Sequence, residues 1–202
     1  MALQDSAPRP EPAAPVERGK LTPETWIQAA TQVLVDQGID HVRVDTLAKT
    51  LGVSRGSFYW HFKDRDALLR GVLQAWIDQV TTALTRRLVN AAQNPQTRLR
   101  DLISLPHRGR AAVRTARIEL AIRAWARRDT IARQAVDAAD SSRIAYHEEV
   151  FRELGFTGAD ARARAFVTYG YEVAESVLNQ SETTAERQQR QQFFEALILR
   201  KP

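Results

Sequence analysis

Residues 55–63 place a basic side chain at each end of a short aromatic run, a composition suited to nucleic acid. Arg55 carries a guanidinium group that can donate two parallel hydrogen bonds to the O6 and N7 atoms of a guanine. Ser57 is a small polar residue two positions later, at the start of the same predicted helix. We therefore take Arg55 and Ser57 as candidates for reading the edges of bases.

Two short helices joined by a tight turn are predicted to hold these side chains. The first helix contains Ala48, which is small enough to let a second helix approach closely. Gly52 follows it and suits a left-handed C-cap. Ser54 is predicted to cap the second helix, roughly residues 55–61, by accepting a backbone N–H bond. With Phe58 in a small core behind it, this is the layout of a helix-turn-helix, whose second helix lies in the major groove of DNA.

Positive charge is concentrated in two parts of the chain, although the formal net charge is only +5. Residues 86–133 hold twelve arginines and no lysine against three acidic residues, which are either solvated helix faces or a site that favours an anion. Residues 41–65 overlap the predicted DNA element, where contact with phosphates requires positive charge. Their basic residues are Arg43, Lys49, Arg55, Lys63 and Arg65, against Asp45 and Asp64.

Composition excludes several classes of protein. The chain has no cysteine, which excludes disulfides and thiolate metal sites and suits a reducing cytoplasm. Residues 1–20 contain four prolines and no apolar core of a signal peptide, so we expect a disordered tail. No apolar run reaches the roughly 20 residues that a membrane span needs. We expect a cytoplasmic protein without membrane contact.

Apolar residues recur at helical spacing throughout, which predicts an all-α chain of about nine helices. Thr22 and Pro23 are predicted to open the first helix, which Gly38 ends. A long helix is predicted to run from about Asp64 to Gln93, where Asn94 and Pro95 stop it. The predicted domains are a helix-turn-helix domain at 21–66 and a second helical domain at 67–202.

The second domain is predicted to hold five more helices. The first two span about 97–105 and 111–127. Asp129 or Thr130 opens the next, which ends near Leu154. Thr157 and Asp160 form a sequence like a capping box for the following helix. Thr183 or Thr184 opens the last helix, which ends near Arg200.

Residues 22–70 resemble the DNA-binding domain of the TetR family of bacterial transcriptional regulators. The resemblance lies in the helix 22–38, in LAKTLGVS at 47–54 and in RGSFYWHFKDRDALL at 55–69. It implies a homodimer in which helices one to three bind double-stranded operator DNA. The remaining helices would form a ligand-binding and dimerisation domain. Most members of the family are repressors that a small-molecule effector releases from a near-palindromic operator.

The resemblance also implies a set of DNA contacts. Tyr59, His61 and Lys63 match positions that often touch phosphates, and Thr46 is placed for another phosphate. Lys63 also precedes a helix N-terminus, which attracts phosphate. Trp60 would contact a thymine methyl group or a sugar, or pack against the first helix. The predicted DNA-binding residues are Arg43, Thr46, Ser54, Arg55, Ser57, Tyr59, Trp60, His61 and Lys63.

Some of these residues have a purely structural alternative. Tyr59 could be a half-buried packing residue, His61 a partner of the helix C-terminus, and Lys63 simply solvated. Arg43 departs from the family pattern, which has a threonine that caps the second helix. Arginine cannot accept a backbone N–H bond, so Asp45 in the first turn partly compensates through the helix dipole, or Arg43 reaches a phosphate.

Two further sites are predicted in the second domain. The effector pocket is expected to have aromatic walls with a few polar groups. Arg117 could hold an acidic ligand such as a fatty acid or an acyl thioester, or form a surface salt bridge. The predicted pocket residues are Trp76, His107, Arg117, Trp125, Tyr146 and Phe166. The predicted dimer contacts, with intramolecular packing as the alternative, are Tyr169, Gly170, Val173, Val177, Phe193, Phe194 and Leu197.

Other function classes have weaker support from the sequence. The four histidines show no metal-binding spacing, and no catalytic triad, P-loop or glycine-rich fingerprint occurs, so we expect neither an enzyme nor a metal or cofactor. A transcriptional activator and a DNA-binding protein without an effector stay open as alternatives.

Overall fold

The computed structural model describes residues 21–79, 94–107, 109–178 and 181–201, with only the backbone of His107. Over these ranges the chain is all-α, as predicted, with nine α-helices, short 3₁₀ turns at Ile39–His41 and Leu105–His107, and no strand. None of the described helices is long and apolar enough to cross a membrane. The helices are α1 (Pro23–Gln37), α2 (Val44–Thr50), α3 (Arg55–Tyr59), α4 (Arg65–Ile77), α5 (Pro95–Ser104), α6 (Gly109–Ala126), α7 (Thr130–Glu153), α8 (Gly158–Val177) and α9 (Thr184–Ile198).

Polar side chains explain where several helices begin. Thr22 and Thr183 cap α1 and α9 in reciprocal capping boxes, and Asp129 caps α7, as the sequence predicts. Asp64 caps α4, with its Oδ1 accepting from the backbone N–H of Ala67 at 2.7 Å. We predicted that Asn94 and Pro95 end the preceding helix. In the structure the Asn94 side chain also caps α5, in which Pro95 is the first residue.

Two predicted caps are wrong. Ser54 occupies the N-cap position of α3, but its hydroxyl makes no capping bond, and its carbonyl accepts from the Ser57 N–H at 3.1 Å. Thr157 precedes α8 without a side-chain cap as well. The Asp160 carboxylate accepts from Arg164 at 2.8 Å, an ion pair one helical turn along α8.

A compact apolar core holds α1, α2 and α3 together as a unit, which we call the head. Trp26 of α1 and Phe58 of α3 are both fully buried and meet edge to face, with ring centroids 5.4 Å apart. Leu47 and Ala48 of α2 are buried against them. Gly52 has φ +68° in the turn between α2 and α3, where a residue with a Cβ would be strained. The helix α3 therefore rests on a buried apolar base.

The helix α4 connects the head to the remaining helices, α5–α9, which we call the body. Arg65 donates to the backbone carbonyls of Val42 at 2.6 Å and Ile39 at 2.9 Å, which fixes the start of α4 to the head. Trp76, near its other end, packs in the same core as Ile122 and Trp125 of α6. The predicted continuation of this helix to Gln93 lies outside the described residues.

A second apolar core lies in the body among α5, α7, α8 and α9. Phe151 and Phe156 meet edge to face with their centroids 5.9 Å apart, and Phe194 stacks on Tyr171 at 4.0 Å. Arg164 of α8 donates to the backbone carbonyls of Ile198 and Arg200. These contacts fasten α9 to α8.

Candidate nucleic-acid interface and ligand-binding body

The helix α3 presents its large side chains outward. Arg55 and Tyr59 are exposed, while Phe58 between them is fully buried in the head. Trp60, which follows the last residue of α3, is 88 % exposed. It therefore does not pack against α1, and its contact with DNA stays a prediction.

The polar residues around α3 are less uniformly placed. Ser57 is half-buried, so only part of its side chain faces outward, and Ser54 is exposed. Thr46 is also half-buried, and its backbone carbonyl accepts from the Thr50 hydroxyl at 2.9 Å. Arg43 is exposed and donates from Nε to the Asp40 carbonyl at 2.9 Å. As predicted, Arg43 gives α2 no side-chain cap.

Arg55, the predicted base reader, is held by a neighbouring helix. Its Nε lies 2.8 Å from Oδ1 of Asp45, in the first turn of α2, and both side chains are about two-thirds exposed. Asp45 therefore forms an ion pair across the helix-turn-helix, in addition to lying in the first turn of α2, where we predicted that it interacts with the helix dipole.

The segment between α3 and α4 carries the remaining predicted phosphate ligands. His61 is half-buried, and its backbone N–H donates to the Phe58 carbonyl at 2.9 Å. Lys63 is exposed. The adjacent N-terminus of α4 is capped by the Asp64 carboxylate, so it attracts phosphate less than predicted.

The predicted pocket residues do not converge on one cavity. Trp76 and Trp125 are buried in the core that continues into the head, and Tyr146 is buried in the second core. Phe166 is 66 % exposed on α8, so its assignment to the pocket is wrong. The side chain of His107 lies outside the described residues.

Arg117 lies on α6 between two clefts that share it and Val113 as lining residues. One cleft, of about 230 Å³, extends toward Leu178 at the end of α8. The other, of about 390 Å³, is bounded by Arg110 and Arg114 on α6 and by the last turns of α1. Arg117 also forms the surface salt bridge named as its alternative role, with Asp36 of α1 at 3.3 Å.

A buried polar network inside the body was missed by the sequence analysis. The Tyr169 hydroxyl donates to Oδ1 of Asp140 at 2.6 Å and accepts from Arg123 and Arg143 at 2.8 Å each. Arg143 also donates to both carboxylate oxygens of Glu119 at 3.0 Å. Burial raises the pKa of Tyr169 well above its ordinary value, so its hydroxyl stays protonated. The available signal was charged pairs four residues apart, such as Glu119 and Arg123, on helices otherwise rich in apolar residues.

His147 joins α7 to α8 at the edge of this network. Its Nε2 lies 2.7 Å from Oε1 of Glu172, and its Nδ1 donates to the Arg143 carbonyl at 2.6 Å. Burial alone would lower the pKa of His147, but the Glu172 carboxylate outweighs it and raises the pKa. Burial raises the pKa of Glu172 as well, against the opposing effect of His147.

The predicted dimer residues fall into two groups. Tyr169 and Phe194 are buried within the subunit, so their assignment to a dimer contact is wrong and their packing is intramolecular. The others lie on the outer side of α8 and α9 or are half-buried there. This second group is Gly170, Val173, Val177, Phe193 and Leu197, and Phe193 at 69 % is the most exposed of its large apolar residues.

Comparison with solved structures supports the fold over most of the chain. A transcriptional regulator from Rhodococcus sp. Rha1 superposes with a TM-score of 0.69 at 19% identity, over 89% of this chain and 96% of that one. AibR, solved in complex with isovaleryl coenzyme A and operator DNA, gives a TM-score of 0.61 at 16% identity, over 87% of this chain and 96% of that one. At these identities the likeness establishes the arrangement of head and body.

Comparison of sequences concerns the head and the start of α4. The tetracycline repressor protein class A from transposon 1721 of Escherichia coli is 40% identical over 58 residues, which are 29% of this chain. The aligned part is about a quarter (27%) of that repressor's length. Residues 27–72 match the family model described as bacterial regulatory proteins, tetR family. The resemblance of the helix-turn-helix head to the TetR family of bacterial regulatory proteins is thus confirmed.

Proposed function

We propose that this protein is a cytoplasmic transcriptional repressor that binds a near-palindromic operator as a homodimer and is released by a small-molecule effector. The observation that carries the DNA-binding part is the exposed face of α3, set on the buried Trp26–Phe58 contact. The basic residues around it supply affinity for phosphates, and Arg55 and Trp60 are placed to reach base edges. Two heads in a dimer would read half-sites about 34 Å apart.

The DNA-binding proposal is tested by selecting duplexes from a random pool and measuring their affinity. Tyr59→Ala and Lys63→Ala should weaken binding to every duplex, because phosphate contacts carry no sequence information. Arg55→Ala should instead relax the preference at one base pair, which a bidentate contact to guanine would impose. A full-length protein that prefers no duplex over random competitor would contradict the proposal.

Support for the homodimer comes from apolar residues left exposed on one side of the body. Phe166, Gly170 and Val177 recur at helical spacing on α8, and Phe193 and Leu197 are one turn apart on α9. A face of this kind on a globular protein marks an interaction surface. A second copy related by a two-fold axis would cover it with the same residues. Phe166 thus moves from the predicted pocket to the proposed dimer face.

Support for an acidic effector comes from the two clefts that meet at Arg117. The apolar wall of Val113 and Leu120 beside a guanidinium group suits a ligand with a hydrocarbon chain and a negative charge. Arg110 and Arg114 extend the positive charge along the second cleft. The AibR complex shows that a protein of this fold binds an acyl thioester. We therefore propose a carboxylate or acyl thioester of modest size.

Arg117 would also connect the effector to the head. Two exposed ion pairs bridge the body and the head: Arg117 of α6 with Asp36, and Arg128, in the turn after α6, with Asp40 at 3.1 Å. An effector anion that takes Arg117 from Asp36 would release one of these bridges. The head would then lose the orientation that matches the operator, which gives the effector its differential affinity for the two states.

A ligand screen on the protein–operator complex tests this route. Short branched acyl coenzyme A thioesters and free fatty acids should be titrated while fluorescence anisotropy follows a labelled operator. Arg117→Gln should lose the response to the active ligand, whereas Asp36→Asn breaks the same ion pair and should keep ligand binding. An equal response of both variants and the wild type would exclude Arg117.

The direction of regulation is decided by reporter expression from the natural promoter. Deletion of the gene should raise expression if the protein is a repressor. A fall in expression would favour the activator, and an operator affinity that no ligand changes would favour a regulator without an effector.

A further inference from the structure

The ion pair between Asp45 and Arg55 lies on the DNA-facing surface and joins two different helices. The Nε–Oδ1 distance is 2.8 Å, and the side chains are 67% and 64% exposed, respectively. Exposed pairs of this kind add little to stability. The α2–α3 packing already rests on Leu47 and Phe58, which are fully buried. The pair is therefore not needed to hold the helix-turn-helix together.

The contact leaves the reading end of Arg55 available. It engages Nε, whereas end-on recognition of guanine uses the two Nη groups. An arginine at the exposed start of a helix otherwise samples many rotamers, and bidentate recognition requires one of them. An ion pair with the neighbouring carboxylate reduces the number of orientations that the guanidinium group samples.

The same carboxylate has a second effect on binding. Asp45 is a negative charge on a surface that must approach phosphates, so it weakens the attraction to any duplex. A duplex with a correctly placed guanine offsets this repulsion through its hydrogen bonds with Arg55. A duplex without one does not. Asp45 therefore penalises incorrect sequences more than correct ones.

We propose that Asp45 is a specificity-determining residue, which positions Arg55 for a guanine and disfavours duplexes that lack this base. The inference rests on the proposed function in one respect, that α3 reads the operator. Asp45 itself carries neither a positive charge nor a hydrogen-bond donor that could bind DNA.

The test compares Asp45→Asn with the wild type on the selected operator and on a scrambled duplex of equal length. Asp45→Asn should bind the scrambled duplex more tightly, and the ratio of the two affinities should fall by about tenfold, within the range expected for one bidentate base contact. Asp66→Asn is the matched control, because Asp66 is an exposed aspartate of the same region, in the first turn of α4. It should leave the ratio unchanged.

A double-mutant cycle shows whether Asp45 acts through Arg55. Asp45→Asn and Arg55→Ala should relax the preference at the same base pair, tested with single-base-pair variants of the operator. Adding Asp45→Asn to Arg55→Ala should not lower the ratio further. Melting temperatures close to that of the wild type would show that the head stays folded.

Three results would overturn the inference in distinguishable ways. If the wild type is selective but Asp45→Asn keeps the same ratio, Asp45 has no role in specificity. If Asp45→Asn lowers both affinities equally, its role is structural. If the wild type itself shows no selectivity, the proposed function fails together with the inference.

Discussion

The Tyr169 hydroxyl lies within the polar network of the body and links residues of three helices. It makes three short hydrogen bonds, with Arg123 and Arg143 as donors and Asp140 as acceptor. Arg143 lies over the faces of Tyr169 and Trp76, with its guanidinium carbon 5.7 and 5.8 Å from the ring centroids. One side chain from α8 therefore ties α6 and α7 together beneath the end of α4.

Tyr169→Phe should lower the free energy of unfolding by about 1–3 kcal/mol, because it leaves partly buried charged groups without one partner. Tyr59→Phe is the matched control, since the Tyr59 ring is 57 % exposed and removing its hydroxyl should change stability little. Urea denaturation at neutral pH measures both. Equal stability of the two variants would show that the charged groups find other partners.

His147 and Glu172 should make the stability depend on pH in one direction. Both have a raised pKa in the folded protein, so the folded state binds more protons than the unfolded state. The contribution of His147 is fully present below its unfolded pKa and is lost as pH rises through its raised folded pKa. The contribution of Glu172 is lost in the same direction, through its own raised folded pKa.

The wild type should accordingly be less stable at about pH 8 than at about pH 6, the range in which histidine titrates. In His147→Gln this difference should shrink. Urea unfolding of both proteins at the two pH values provides the comparison. An unchanged difference in the variant would assign the pH dependence to other groups.

Sequence patterns predicted which side chains are buried well in the head and poorly in the body. In the head, Phe58 and Ala48 were assigned to the interior because their neighbours in sequence form the pocket that holds them. In the body, the partners of Tyr169 lie 26 to 46 residues away along the chain. Local spacing carries no information about such pairs, so Tyr169 was assigned to the outside.

At the scale of whole elements, helix starts were predictable where a side chain caps the backbone. Thr22, Asp129 and Thr183 do so, and each start was predicted to within one residue. The faces of α8 were not predictable. One apolar stripe through Ala165 and Tyr169 points into the body, and a second through Phe166 and Gly170 points outward. A helix with two apolar stripes does not reveal which one is buried in its own subunit.

Gly170→Ala should have opposite effects on the stability of the subunit and on the affinity of the dimer. A Cβ at Gly170 would have nothing within 4 Å in the isolated subunit, so alanine should stabilise α8 by about 0.5–1 kcal/mol. If α8 packs closely against its copy, the same methyl group would push the two helices apart. We expect greater stability of the monomer at low protein concentration together with a larger dimer dissociation constant.

Chemical denaturation and sedimentation equilibrium measure these two quantities. Gly52→Ala is a useful contrast, because φ of +68° makes alanine costly there while its site lies far along the chain from the proposed dimer face. It should destabilise the subunit and leave dimerisation unchanged. A tighter dimer in Gly170→Ala would exclude close packing at this position.

At the scale of the whole molecule, the proposed dimer decides how the two heads are spaced. Phe193→Glu should produce a folded monomer, because the residue is 69 % exposed in the subunit and only a minor part of it packs internally. Ile131→Glu, at an exposed position of α7, is the matched control and should stay dimeric. Light scattering after gel filtration gives the mass of each.

The Phe193→Glu monomer should also bind a half-site with unchanged preference but lose the affinity gained from two linked heads. A wild-type protein that is itself monomeric at micromolar concentration would contradict the proposed assembly. A dimeric Phe193→Glu would place the interface elsewhere on the body.

The two bridges from the body to the head are open to solvent. They join Arg117 to Asp36 and Arg128 to Asp40. Dissolved ions screen such pairs, so raising ionic strength weakens the joint at the same time as it displaces the protein from DNA. The slope of log affinity against log ion concentration would then overcount phosphate contacts. A variant without both bridges, Arg117→Gln with Arg128→Gln, should give a shallower slope. The difference between the two slopes measures how much of the salt dependence of DNA affinity comes from the ion pairs between body and head.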